Sequence, residues 1–507
     1  MTQTLASLFA PHPGQARAIG APDRPWLAHD GLRAQTDAVR TALHAAGIGR
    51  GDRVAIVLPN GPEMATAFVT VAQVAVTAPL NPAYKREEFD FYLTDLQARA
   101  IILPDGQDGP ALDAAVAQKL IILRLSFDPA QAAGRFTLQT TTTGTATDTG
   151  PPGPDDIALI LHTSGTTSRP KIVPLLQSNV AASAGNIGRA LALTPADRCL
   201  NVMPLFHIHG LVAAVSASLA AGGSVWCAPG FDALKFFGWM GSATPTWYTA
   251  VPTMHQAILT RAARNTDTIA RVPLRFLRSS SASLPPQVML ALASTFNAPV
   301  IESYGMTEAA HQMASNPLPP RAQKPGSVGV AAGPQVRIAH EAENRLTDGI
   351  GEIVIAGRNV TPGYEANAEA NAKSFFTFDG IRWFRTGDQG GLDADGYLSL
   401  TGRLKEIINR GGEKISPLEI DAVLMDHPAV QQVVTFALPH PKLGEEVAAA
   451  VVLRDGSHAD EAAIRAFCET RLAGFKVPRR VVILTEIPKG ATGKLQRIGL
   501  AAKLGLA

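Results

Sequence analysis

The feature that most narrows the possible folds is a repeated pairing of short apolar runs with helix-length segments. Arg53–Leu58 (RVAIVL) is apolar without alternation, and Pro62–Ala75 follows it at helical spacing. Ile157–His162 opens into a polar loop, and Pro299–Ile301 ends just before ESYG. Runs apolar on both faces belong in parallel sheets covered by helices, so the chain predicts an α/β fold of layered, mostly parallel sheets. In such sheets ligands sit beyond the carboxyl ends of the strands.

The rhythm changes along the chain. Gln139–Asp155 is rich in Thr, Gly and Pro and reads as a surface connection. Gly351–Ile355 and Tyr397–Thr401 alternate in the manner of exposed strands, predicting a β-rich subdomain. Past Gly402–Lys405 come strands at Gln432–Ala437, Val447–Leu453 and Arg480–Leu484 and a helix at Asp460–Arg471, a compact α+β unit. With 507 residues the chain exceeds one ordinary core. The expected division is a large domain over 1–402 and a small one over 403–507.

Composition excludes several classes of function. A formal net charge of +2 supplies no field for nucleic acid. Leu211–Ala221 is the longest apolar run, yet it carries Ser216 and Ser218 and is too short to span a bilayer, so it reads as a buried helix. Cys199, Cys227 and Cys468 are scattered without a CxxC, which argues against a zinc knuckle or redox pair. Free thiols and an N-terminus lacking a basic leader predict a cytoplasmic protein, either monomer or homodimer.

His162–Lys171 (HTSGTTSRPK) carries the most chemistry. Behind a buried strand it gathers the hydroxyls of Thr163, Ser164, Thr166, Thr167 and Ser168, with Gly165 and the cations Arg169 and Lys171. Hydroxyls, backbone N–H groups and cations are what an oligophosphate needs. The segment lacks the Gly-Lys-Ser/Thr ending of a Walker loop. By composition alone a solvated polar loop is an equal reading.

This segment resembles the signature loop of the adenylate-forming superfamily, which includes acyl-CoA synthetases, luciferases and peptide-synthetase adenylation domains. The match has one departure, Ser168 where the family usually has glycine. Five further motifs occur in family order: PLFHIHG at Pro204–Gly210, YGMTE at Tyr304–Glu308, RTGD at Arg385–Asp388, GRLKEIINRGGEKI at Gly402–Ile415 and PKGATGKLQR at Pro488–Arg497. The resemblance implies ATP, Mg²⁺ and coenzyme A as cofactor or co-substrates. It implies Ser303, Tyr304, Gly305 and Thr307 around the nucleotide, Glu308 as the Mg²⁺ ligand, Asp388 on the ribose hydroxyls and Arg403 beside it. It also implies Lys494 as the catalytic lysine, Lys405 as the hinge of a mobile C-terminal domain, and Gly411, Gly412 and Lys414 along the CoA thiol's path.

Within the superfamily, NPAYKREEFDFYL, TWYTAVPTMHQAIL, RSSSASL, MTEAAHQMASNPLP and NRGGEKISPLEIDAVL are similar to the oxalate–CoA ligases of plants and fungi. That resemblance implies that His207, Ser281 and His311 hold the acid, with His207 also in the catalytic set. The residues independently favour a small polar acid, because a long acyl chain would leave these His and Ser groups unpaired at a cost. His209 reads instead as a hydrogen-bonded core residue, and Arg278 as either pocket or scaffold. Three alternatives stay open. One is a ligase for another short, medium-chain or aromatic acid. Another is an enzyme loading a carrier protein, against which the missing carrier motif after Lys494 weighs. The last is a non-catalytic nucleotide- or RNA-binding homologue.

Overall fold

The computed structural model describes residues 4–163, 170–489 and 495–506. Two large sheets face each other across a shared layer of helices. One has the spatial order Thr137–Gln139, Ile121–Ser126, Ala100–Pro104, Arg53–Ile56, Val76–Pro79, Ile157–Thr163 and Lys171–Leu176, parallel except at its two ends. The other is built around parallel strands Ser224–Cys227, Arg198–Asn201, Trp247–Ala250, Phe276–Ser280 and Val300–Met306. Helix Pro62–Val71 lies between the sheets and buries every residue except Glu63, as expected of a helix apolar on all sides. It stops at Val71, four residues short of the end that spacing predicts.

The Leu211–Ala221 run is buried, but His209–Ser216 winds as a π-helix before Ala217–Ala220 returns to α geometry. Such wide turns recur at functional sites. The strand expected to stop at Ile301 instead runs through Tyr304 and Gly305 to Met306, because His311–Ser315 folds back and pairs antiparallel with it. That partner lies beyond the reach of local periodicity.

A third sheet is antiparallel and contains Gln335–Ala339, Ile350–Ala356, Phe375–Phe378, Ile381–Leu392 and Leu398–Arg403. Its last strand includes Arg403, so a cut at 402 falls inside a strand, and the next sheet begins at Ile408–Arg410. The C-terminal sheet holds Glu413–Ile415, Ile408–Arg410, Gly444–Leu453, Val430–His440 and Arg480–Ile483, covered by helices Pro417–Met425 and Glu461–Glu469. Asp460 accepts the Ala463 N–H and caps the latter helix. Among the described residues no helix is long and apolar enough to cross a membrane.

Arg497 knits the C-terminal unit together. It is half-buried, with Nε 3.1 Å from Glu406, Nη2 2.9 Å from Asp421 and Nη1 donating to the Thr435 carbonyl. Removing one partner of a partly buried ionic cluster leaves uncompensated charge and costs less than the roughly 3–5 kcal/mol of a fully buried one. Arg497→Ala is therefore expected to make the 403–507 unit unfold ahead of the large domain in a urea titration followed by limited proteolysis.

Candidate active site

The parallel strands of the larger sheet end at one edge, and the polar side chains gather there. Phe276–Ser280 carries Arg278, fully buried, whose Nη1 lies 3.2 Å from His209 Nε2 and 3.4 Å from Thr249 Oγ1. Its Nη2 donates to Gln312 Oε1 at 3.4 Å. Thr249 Oγ1 stands closer to that Nε2, at 2.6 Å, and because a guanidinium only donates, the arrangement that opposes no two donors has the Thr249 hydroxyl donating to Nε2 and Nδ1 carrying the ring proton. Nδ1 lies 3.0 Å from Ser281 Oγ. The His209 and His311 rings stand 5.0 Å apart. Ser281 has φ 76° and His311 φ 98°, a region side-chain-bearing residues rarely adopt.

Around the corner, a second group faces the third sheet. Glu308 is buried in the middle of the 3₁₀ turn Thr307–Ala309 and accepts the Tyr364 hydroxyl at 2.8 Å. Burial pushes its carboxyl above the ordinary range, and the Tyr364 bond and Lys171 oppose that rise. Lys171 Nζ sits 4.2 Å from the centre of the Tyr364 ring. Burial, with repulsion from Lys405, lowers the Lys171 pKa. Asp388 receives the Tyr304 hydroxyl and lies 3.3 Å from Arg403 Nε, its cross-strand partner. Two carboxylates, two cations and two phenols thus line one mouth, a setting suited to a polyphosphate and a hard cation.

The remaining predicted residues fall as follows. Thr163 is the last residue of its strand and pairs directly with Lys171. Ser164, Gly165, Thr166, Thr167, Ser168 and Lys494 lie outside the described residues. Ser303 is buried and its hydroxyl meets Ser315 at 3.2 Å. Gly305 is required sterically, since a Cβ there would come within 2.0 Å of the His311 carbonyl oxygen. Thr307 opens the turn before Glu308. His207 is half-buried on the approach to the π-helix, with Nδ1 3.4 Å from the His209 N–H nitrogen, so it is His209 that meets Ser281. Lys405 is exposed just past the last strand of the third sheet. Gly411 and Gly412, at φ 59° and 94°, form the tip of the hairpin between Ile408–Arg410 and Glu413–Ile415. Lys414 on that hairpin reaches Glu341 of the third sheet at 2.6 Å.

Sequence reasoning missed Tyr364, Thr249 and Gln312. Only Arg278, a lone charge inside the apolar strand FLRSS, carried a local signal. A cleft of about 190 Å³ separates the large domain from the C-terminal unit, and Leu495, next to Lys494 in the chain, lines it together with Ala282 and Ser283.

Family models agree with this layout. Residues 9–365 match the AMP-binding enzyme family and residues 419–494 the AMP-binding enzyme C-terminal domain. The chain belongs to the AMP-binding enzyme family. Among relatives, this AMP-binding enzyme is 48% identical to an oxalate–CoA ligase of Arabidopsis thaliana over 89% of this chain and 88% of that one. It is 42% identical to an oxalate–CoA ligase of Saccharomyces cerevisiae over 88% and 86%. The ATP-bound structure of MatB from Rhodopseudomonas palustris superposes with a TM-score of 0.87 at 30% identity, covering 98% of this chain and 97% of that one. The apo form of MatB superposes less well, at 0.79.

Glu302 supplies a test of the scaffold beneath the site. It is buried, one oxygen accepts the Leu284 N–H at 2.8 Å, and burial pushes its pKa to about 8. The folded protein therefore holds a proton that the unfolded chain releases near the ordinary carboxylate value, and stability falls as pH rises from about 4.5 to about 8. Glu302→Gln keeps the acceptor and removes the titration. Its gain in unfolding free energy over the parent, read by urea titration, is expected to be larger at pH 8 than at pH 5, with a difference on the order of a few kcal/mol. An equal difference at both pH values would contradict it.

Proposed function

We propose that oxalate is the acid this ATP-dependent acid–CoA ligase activates. The observation that carries the reading is the polar wall of Arg278, His209, Ser281 and His311 at the strand ends, where a fatty or aromatic acid would need apolar lining. The similarity to two oxalate–CoA ligases supports it.

The acid's carboxylate oxygen attacks the α-phosphorus of ATP, a P–O bond forms and pyrophosphate leaves. The thiolate of CoA then attacks the acyl carbon, and AMP leaves. No side chain need form a covalent bond. Lys171 offsets phosphate charge, Asp388 accepts the ribose hydroxyls, Arg403 stands beside them, and Ser303, Tyr304, Gly305 and Thr307 frame the nucleotide. Thr163, Ser164, Gly165, Thr166, Thr167 and Ser168 are assigned to the phosphates, through hydroxyls and, at Gly165, the backbone N–H. His207 sits at the mouth of the acid pocket, formed by Ser281 and His311. A single buried carboxylate suits a Mg²⁺ ion that takes its other ligands from phosphate and water, so Glu308 would hold it, where it would neutralise the leaving pyrophosphate. Tyr364 keeps Glu308 oriented and favours its ionised form.

Lys494 bridges the carboxylate and the α-phosphate. The position of Leu495 in the cleft and the better superposition on ATP-bound MatB support reading this arrangement of the two units as the adenylating one. For the second step the 403–507 unit turns about Lys405 and brings Gly411, Gly412 and Lys414 to the CoA path. Buried free thiols at Cys199, Cys227 and Cys468 fit a cytoplasmic setting.

CoA-dependent release of AMP and pyrophosphate should be rapid with oxalate and weak with hexanoate or cinnamate. Comparable rates with all three acids would remove the oxalate assignment. Lys494→Ala should slow adenylation roughly 10²–10³-fold, the size of a lost transition-state charge contact, with ATP binding by calorimetry retained. Near-parental adenylation would refute the role given to Lys494.

A further inference from the structure

Arg278 has no ordinary reason to be where it is. Its side chain is fully buried, and its partners are Thr249, His209 and Gln312, all without negative charge. Its Nε has no hydrogen-bond partner, and among the described residues it forms no ion pair. Glu302 on the adjacent strand is in register with Ser279, not with Arg278. Side chains alternate across a sheet, so Glu302 points to the opposite face and cannot neutralise it. Burial lowers the guanidinium to about 9, still above neutral pH, so the group remains a cation.

A buried, uncompensated cation is costly to the folded protein and persists where a ligand supplies the missing charge. The path to that ligand can be followed atom by atom. Arg278 Nη1 donates to Thr249 Oγ1 and stands 3.2 Å from His209 Nε2, and the Thr249 hydroxyl donates to that Nε2 at 2.6 Å; this arrangement favours the Nδ1–H tautomer, since a doubly protonated ring would bring two cations to 3.2 Å. His209 Nδ1–H then donates to Ser281 Oγ. That hydroxyl, its acceptor role filled, has its own proton free to point outward from the half-buried loop. Each donor in the chain polarises the next.

We propose that Arg278 is a positioning residue that, acting through His209 and Ser281, makes the acid pocket select short acids whose far end is anionic over isosteric acids whose far end is neutral. The inference rests on the acid–CoA ligase reading of this site. It adds the source of the positive charge and the route by which the charge reaches the substrate without contact.

Oxalate and oxamate are nearly isosteric and differ in one negative charge at the far end, so their kcat/KM ratio reads the proposal directly. Arg278→Met should lower the oxalate-to-oxamate ratio roughly 100-fold, the size of one charge-assisted hydrogen bond, chiefly through the KM for oxalate and with the KM for ATP little changed. Arg278→Lys, which keeps the charge, should retain most of the ratio. A loss of the same factor for both acids would mark Arg278 as scaffold and overturn the proposal. Should the Met variant fail to fold, the Arg278→Gln and Ser281→Ala cycle decides: the two losses overlap if the chain is continuous, and full additivity overturns it. The outcomes also separate the two readings. A parent enzyme that ignores oxalate but prefers another acid with an anionic tail removes the oxalate assignment and leaves Arg278 in place. A parent that prefers oxalate with a ratio untouched in Arg278→Met does the reverse.

Discussion

Two parallel sheets share one layer of helices, and the site exists only where the strands stop. Inside the layers the packing is mostly apolar, from Phe68 in the central helix to Trp247 and Phe276 on the larger sheet, and a buried hydroxyl such as Thr70 bonds back to its own helix. Hydrogen-bonding groups can be left unsatisfied by the backbone only at strand ends, which is where Thr249, Arg278, Ser281 and Gly305 lie. Strand parity then decides the chemistry, because adjacent residues face opposite sides. The register of Phe276–Ser280 with Val300–Met306 places Arg278 among neutral partners on one face and Glu302 beneath the Leu284 loop on the other.

The same edge divides labour between two electrostatic settings. At the mouth facing the third sheet, Glu308, Asp388, Lys171 and Arg403 nearly balance, with Tyr304 and Tyr364 as neutral bridges. That arrangement can accept ATP without a large net field in the free enzyme. Deeper in, the Arg278–His209–Ser281 chain carries unbalanced positive charge. On the proposed reading, the enzyme thus separates a region for phosphate and metal from one that discriminates the acid. The C-terminal unit, held to the large domain through polar contacts such as Lys414–Glu341 and Gln256 to the Gln431 carbonyl, closes over both. Apolar groups meet at that boundary as well, with Val251 and Met254 of the large domain in one buried cluster with Met425 and Val433 of the C-terminal unit.

Much of this was legible in the residues. The α/β layering followed from runs apolar on both faces, and the six ordered motifs pointed to nucleotide chemistry through Thr163, Glu308, Asp388, Arg403 and Lys171. The helix beginning near Asp460 was legible from local spacing, and the structure makes Asp460 its cap. Three things were not legible. The extension of Val300 to Met306 depends on His311–Ser315 pairing back. The meeting of His209 with Ser281 depends on a contact 72 positions apart in the chain. Tyr364 gives no local sign that its hydroxyl will meet Glu308.

The sequence by itself determined the fold class, the order of the nucleotide motifs and the inventory of polar groups, because periodicity and turn chemistry act over a few residues. Which histidine faces Ser281, which carboxyl is left without a cation and which cation without a carboxyl were decided by tertiary structure alone. Those outcomes turn on strand register, where a shift of one residue moves a side chain to the other face of the sheet.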